Sequence, residues 1–282
     1  MRLPLTLLLA LQSLSWAAAP GQNAGGARPS FKKVVIVVFE NTGETDALAQ
    51  PFFARLAKEG ARLSEYYAVD HPSQPNYIAM VAGDTLGVSS DRTVTLEQSS
   101  LADLLEAANK SWKIYAEDYP GRCFLRATSG KYARKHAPFL SFKSIQDDAA
   151  RCARVVNASE FAADARSGRL PDYSLYIPNL DNDGHDTGVE YADRWFGANF
   201  GPLLDEPAFA RGTLLVATFD EDDGGDANHV LTILHGDSVA AGVVSANRYD
   251  HYSLLRTVED GLGLKTLGRR DASAKAFVGV WK

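Results

Sequence analysis

The chain has 282 residues, 45% hydrophobic and 23% charged, the balance of a protein that buries a sizeable core; disorder, collagen, coiled coil and a small disulfide-stapled scaffold are excluded. A formal net charge of −6 argues against a generic grip on nucleic acid or anionic membrane, because counterion release needs clustered Lys and Arg. A local positive pocket for a small anion stays compatible with that balance.

Residues 1–19 read as a signal peptide. Arg2 precedes an apolar run from Leu3 to Trp16, and Ala17, Ala18 and Ala19 supply the small residues that a signal peptidase recognises. The run is shorter than the roughly 20 apolar residues that span a bilayer, and no later stretch qualifies. Export to a periplasm or beyond the cell is expected, with no transmembrane anchor. Residues 20–30, rich in Gly, Ala and Pro, form a spacer, and residues 31–282 carry neither a further linker nor an internal repeat.

Lys33 to Phe39 is an unbroken, largely β-branched run, the pattern of a strand buried on both faces of a parallel sheet. Pro51 to Glu59 predicts a helix with Pro in its first turn and Gly60 as its stop. Ser73 stands where a helical stretch through Ala82 begins. Ser99 or Ser100 caps the next helix, which presents Leu101, Leu104, Leu105 and Ala108 on one face. Trp112 to Tyr115 is a short strand, and Ile145 to Val155 and Glu160 to Ala165 read as helical. Tyr173 to Ile177 and Thr213 to Phe219 are buried strands separated by a helical Val189 to Phe200. Val230 to Leu234 is a further strand and Tyr252 to Gly261 a closing helix. This alternation predicts one α/β domain, a mainly parallel central sheet flanked by helices on both faces.

In such folds ligands bind beyond the carboxyl ends of the strands. Glu40 and Asn41 follow the first strand, Pro178 through Asp186 follow Ile177, and Asp220-Glu221-Asp222-Asp223 follow Phe219. Like charges gathered at one edge are unfavourable unless a cation sits among them. Oxygen donors suit Mg²⁺, Ca²⁺ or Mn²⁺, and a histidine among them also accommodates zinc. The bland alternative is a set of solvated turns, for which Asp and Asn are natural residues. An EF-hand is excluded, because neither acidic stretch has Gly at its sixth and Glu at its twelfth position.

His71-Pro72-Ser73-Gln74-Pro75-Asn76-Tyr77 offers two readings. Ser73 either caps the helix, or presents a hydroxyl to phosphorus at a helix end whose free N–H groups hold phosphate oxygens. The two cysteines, Cys123 and Cys152, form an even pair that is expected to bridge in an exported chain. His229, His235 and His251 are assigned structural roles, with His229, close after the acidic block, the best candidate among them for a further ligand; Gly224-Gly225 is read as a turn, and the aromatic pairs Tyr66-Tyr67 and Trp195-Phe196 as the core or a pocket wall.

Six blocks together carry a family resemblance. Phe39-Glu40-Asn41, His71 through Tyr77, Tyr115 through Pro120, Arg134 through Phe139, Pro178 through Asp186 and Phe219 through Asp223 stand in family order over most of residues 31–282. The chain resembles the secreted bacterial phosphoesterase family that contains acid phosphatases and phosphatidylcholine-type phospholipases C, within the alkaline-phosphatase-like superfamily. The resemblance implies that Ser73 is a nucleophile forming a phosphoserine, and that Glu40, Asn41, Asp220 and Glu221 hold the catalytic metal. It implies that Asn76, His185 and Asp186 contact the phosphate or assist proton transfer, with His185 as the acid for the departing alkoxide. It also implies a Cys123–Cys152 disulfide around the loop that carries His136, which either reaches the substrate or belongs to a basic loop packed by Phe139.

Phospholipase-type members are longer than this chain, which points to a compact phosphatase of small, soluble monoesters, using one divalent ion and no nucleic-acid partner. Three rivals stand beside that expectation. The first is a phosphodiesterase of the phospholipase C type. The second is a metal-independent serine esterase using Ser73 and His185, although no Gly-x-Ser-x-Gly elbow surrounds Ser73. The third is a secreted metal- or anion-binding protein without turnover.

Overall fold

Lys33–Phe39 (β1) lies inside the sheet with its last six residues buried, as an unbroken apolar run requires. The computed structural model describes residue 29 and residues 31–282 except 226; the expected signal peptide and nearly all of the spacer lie outside the described residues. The further strands are Ala61–Tyr67 (β2), Trp112–Ala116 (β3), Thr128–Ser129 (β4), Tyr132–Ala133 (β5), Val155–Asn157 (β6), Tyr173–Ile177 (β7), Thr213–Phe219 (β8), Thr232–His235 (β9) and Val243–Asp250 (β10). Eight of them form one sheet in the order β10-β2-β9-β8-β1-β7-β3-β6, while β4 and β5 make a separate hairpin. Within the large sheet β9 runs antiparallel to β2 and β8, and the other pairings are parallel.

The helices are Glu44–Leu48 (α1), Pro51–Glu59 (α2), Ser73–Ala82 (α3), Leu101–Ala107 (α4), Lys143–Gln146 (α5), Ala149–Cys152 (α6), Phe161–Arg166 (α7), Val189–Leu204 (α8), Pro207–Ala210 (α9), His251–Leu262 (α10) and Arg270–Ser273 (α11). Phe52 and Phe53 of α2 meet Phe196 of α8 above Phe39 and Phe219, which joins these helices to the middle of the sheet. Gly60 ends α2 because the chain there runs against β9; a Cβ at this position would collide with the Leu234 carbonyl. Ser100 caps α4 in a capping box, its backbone N–H donating to Asp103 Oδ2 at 2.7 Å.

Two expectations need correction. Ile145 to Val155 is not one helix: Asp148 accepts the N–H groups of Ala150 and Arg151, starting a new short helix, and Val155 enters edge strand β6. The strands β2 and β10 are additional to the predicted set. Cys123 and Cys152 are joined by a disulfide that ties the segment before β4 to α6. Among the described residues no helix is long and apolar enough to cross a membrane.

Candidate active site

Strand register assembles the site. Phe39 pairs with Phe219 at the carboxyl ends of β1 and β8, so Glu40-Asn41 emerges directly beside Asp220-Glu221. The Asp220 N–H donates to the Phe39 carbonyl at 3.0 Å, extending the ladder one residue into the site. From the β7 side, the Asp183 carbonyl accepts the Glu40 N–H at 3.0 Å, which brings the loop after Ile177 to the same edge.

Ser73 is the first residue of α3, a ten-residue helix buried throughout, and Pro72 occupies the cap position. With Pro72 at the cap, Ser73 stands one residue inside the helix rather than at its capping position. Ser73 Oγ lies 3.0 Å from Glu40 Oε2 and 3.1 Å from Glu221 Oε1, with its single proton shared between two carboxylates. The cap reading of Ser73 therefore gives way.

The acidic stretch at the end of β8 divides in two. Asp220 and Glu221 point into the buried site, whereas Asp222 accepts the N–H groups of Gly224 and Asn228 and closes the following turn. Gly224, with φ of +88°, supplies the left-handed step that this turn needs. The solvated-turn reading therefore holds for exposed Asp223, which accepts the Gly225 N–H; Asp222 closes the turn but is buried, 3.4 Å from His71 Nε2.

Burial crowds the carboxylates electrostatically. Desolvation lifts the Glu40 carboxyl to about 7, against the opposing pull of Lys135 and the hydrogen bonds from Tyr77 and Ser73. Desolvation, reinforced by Glu40, drives Asp220 and Asp183 well above the usual carboxylate range, and burial also raises Glu221. Asn41 Oδ1 and Asp220 Oδ2 are buried without a hydrogen-bond partner among the described residues. Unsatisfied oxygen atoms in an over-acidic pocket fit a hard divalent cation, so the residues present suit the implied metal. Among the described residues, the His, Cys, Asp and Glu group whose ligand atoms all lie within 4.8 Å of one another is Glu40, His136 and Asp183, which shares only Glu40 with the expected metal set.

Other expected site residues take different positions. Asn76 is fully buried, and its amide is spent on its own loop: Oδ1 accepts from the N–H groups of Val69 and Asp70, and Nδ2 donates to the Asp70 carbonyl. His136, expected at the substrate, is 1% exposed and stacked on Tyr77, with Nε2 3.1 Å from Glu40 Oε1 and Nδ1 3.5 Å from Asp183 Oδ2. Desolvation holds it well below the usual histidine value, hence neutral. His185 and Asp186 are exposed and paired at 2.8 Å, and Lys131 reaches Asp186 from the other side at 2.9 Å. His185 lines a cavity of ≈250 Å³ together with Gln74, Asp91 and Lys135.

Four residues join the site that the sequence did not single out. Tyr77 donates to Glu40 Oε1 at 2.5 Å, fixing the carboxylate so that Oε2 meets Ser73. Asp183 sits beside His136. His71 Nδ1 lies 2.6 Å from Glu221 Oε2. Lys135 Nζ donates to Ser73 Oγ at 3.2 Å and to Asp91 Oδ2 at 2.8 Å. All four fall inside the six sequence blocks, so the signal lay in the blocks, and a chain-order reading could not rank residues within them.

The α/β sheet that gathers this buried serine and four acids at its carboxyl edge shares its fold with solved structures of the alkaline phosphatase superfamily. A superfamily structure from Vibrio parahaemolyticus superposes with a TM-score of 0.61 at 14% identity, covering 87% of this chain and 71% of that one. The chain belongs to the Phosphoesterase family, which it matches over residues 15–265. A probable acid phosphatase from Kluyveromyces lactis is 35% identical over 261 residues, 88% of this chain and 62% of the relative. A phosphatidylinositol-3-phosphatase from Mycobacterium tuberculosis is 34% identical over 275 residues, 95% of this chain and 89% of the relative. The chain spans 60–64% of the length of the fungal acid phosphatases it matches.

Proposed function

We propose that this protein is a phosphoric ester hydrolase that cleaves phosphate monoesters by double displacement, with Ser73 as nucleophile. The observation that carries this reading is the Ser73 hydroxyl, on the first residue of α3 rather than at its cap and held between Glu40 and Glu221. Both relatives named above are phosphatases by name, which supports monoester chemistry. Glu40, Asn41, Asp220 and Glu221 would hold one divalent cation, of Mg, Ca, Mn or Zn. When bound, such an ion lowers the serine pKa and neutralises charge on the phosphoryl oxygens.

Ser73 Oγ attacks phosphorus in line while its proton passes to a neighbouring carboxylate. The bond from phosphorus to the leaving oxygen breaks, and His185, oriented by Asp186, supplies the proton that the departing alkoxide takes up. Water then attacks the phosphoserine and releases phosphate, restoring the serine hydroxyl; retention at phosphorus follows. Tyr77 and His136 act behind Glu40, orienting its carboxylate. Export is part of the proposal, since a disulfide suits an oxidising compartment.

The test is acid quenching during turnover followed by peptide mass analysis. A phosphoryl adduct on the peptide containing Ser73 is expected, absent from Ser73→Ala. An active enzyme without any adduct, giving inversion at a chiral phosphorus, would contradict the double displacement.

A further inference from the structure

We propose that Lys135 is a catalytic residue that binds a non-bridging oxygen of the transferring phosphoryl group, with Asp91 as the residue that positions its ammonium; the inference rests on the reading of Ser73 as the nucleophile. Lys135 follows the β4–β5 hairpin in a short 3-10 turn, Arg134–His136, whose two flanking residues are locked. Arg134 donates to the carbonyls of Leu125, Val94 and Leu140, and His136 is wedged against Tyr77. The backbone that carries Lys135 is thus fixed on both sides, and its ammonium ends 3.2 Å from Ser73 Oγ.

The second observation is Asp91. Its Oδ2 accepts from Lys135 at 2.8 Å, and its Oδ1 accepts the Gln74 N–H, in the first turn of α3, at 3.0 Å. One carboxylate therefore already engages two donors that stand beside the nucleophile. Donors arranged to satisfy one anion next to Ser73 are preorganised for the oxygens of another. Lys135 also lines the ≈250 Å³ cavity that holds Gln74, Asp91 and His185, so it borders an open space as well as touching the serine. Acid groups dominate the other partners of Ser73, and the dianionic phosphoryl group that the serine attacks needs a cation on the chain's own side of the exchange. A purely structural lysine, present only to neutralise the acids, would have no need to reach the serine oxygen.

The experiment compares the parent with Lys135→Met, Lys135→Arg and Asp91→Asn, reading kcat, KM, competitive inhibition by orthophosphate and thermal midpoint. Lys135→Met is expected to lower kcat by about 100- to 1,000-fold, the loss seen when one preorganised donor is removed. Orthophosphate inhibition should weaken in parallel while the midpoint holds. Lys135→Arg should recover part of both, and Asp91→Asn, which leaves the ammonium in place, should cost less than Lys135→Met. If Lys135→Met melts early, Lys135→Gln takes its place with the same expectation. A folded neutral variant with kcat and phosphate inhibition within about threefold of an active parent would overturn this inference alone. A parent that neither turns over monoesters nor is phosphorylated on Ser73 would overturn the underlying reading and this inference with it.

Discussion

A serine hydroxyl has one proton, and here two buried carboxylates compete for it, which supports the proposal that Ser73 is a reacting group. Ser73→Ala is expected to remove nearly all turnover and leave the thermal midpoint near the parent's, as read by steady-state rates beside a melting curve. Asn76 belongs to the same segment but does different work. Asn76→Ala would strip the side-chain partner from two part-buried N–H groups, while the Asp70 carbonyl keeps the Asn228 amide, at about 1–3 kcal/mol for each N–H left unsatisfied. Chemical denaturation should therefore report a loss of at least about 2 kcal/mol, with activity falling only as the loop before Ser73 loosens. These two residues mark what the sequence can and cannot disclose. Ser73 was legible because its two rival roles were both visible at a helix start. Asn76 was placed at the phosphate by the family resemblance alone, and its loop hydrogen bonds, which bridge residues six and seven positions away, could not be read from the motif. Lys135 and Asp183 were invisible for the reverse reason: their chemistry depends on neighbours far away in the chain.

Element by element, legibility followed burial. β1, β7 and β8 are apolar on both faces, and their bounds were readable from composition alone. β2 and β10 alternate buried with half-exposed residues and include Arg62, Glu65 and Arg248, so no continuous run announces them. The segment from Lys143 to Asn157 misled because Ala, Arg and Val suit helix or edge strand alike, and only the cap at Asp148 and pairing with β3 separate them. The disulfide pins this segment. Replacing both cysteines with alanine removes a crosslink between positions 29 apart in sequence, and the chain-entropy estimate for such a loop is about 3–4 kcal/mol. A lower denaturation midpoint in the double variant, matched by the parent under reducing conditions, is the expected result.

At the scale of the whole molecule, the acids excess to the fold's needs govern how it responds to ions and pH. A cation that binds the folded site and not the unfolded chain stabilises by about 2.7 kcal/mol at a hundred times its dissociation constant. Melting followed after chelation and re-addition of Mg²⁺, Ca²⁺, Mn²⁺ or Zn²⁺ should show the midpoint rising with at least one of them. Away from the site, Glu259 of α10 is fully buried, and burial together with neighbouring Asp271 raises its carboxyl to about 9. Because the folded value lies above the unfolded one, this group's contribution is complete below about pH 4.5 and diminishes until about pH 9. The slope is at most about 1.4 kcal/mol per pH unit. Glu259→Gln should flatten that decline and be the more stable protein at pH 8, as urea titrations at several pH values would register. Nothing in the sequence distinguished Glu259 from a surface glutamate, since its burial is created by α11 folding back.

The central claim is that Ser73 and a cation held by Glu40, Asn41, Asp220 and Glu221 hydrolyse phosphate monoesters. Its most direct measurement is phosphate release by the purified protein and by Ser73→Ala, on a chromogenic monoester and a choline-headgroup diester, from acid to alkaline pH, before and after chelation. The account predicts turnover that favours the monoester, disappears with the metal, returns on its re-addition, and is absent from the folded serine variant. Equal turnover by Ser73→Ala, or by protein verified as metal-free, would contradict it, and cleavage of the diester alone would replace the monoester reading with the phospholipase one.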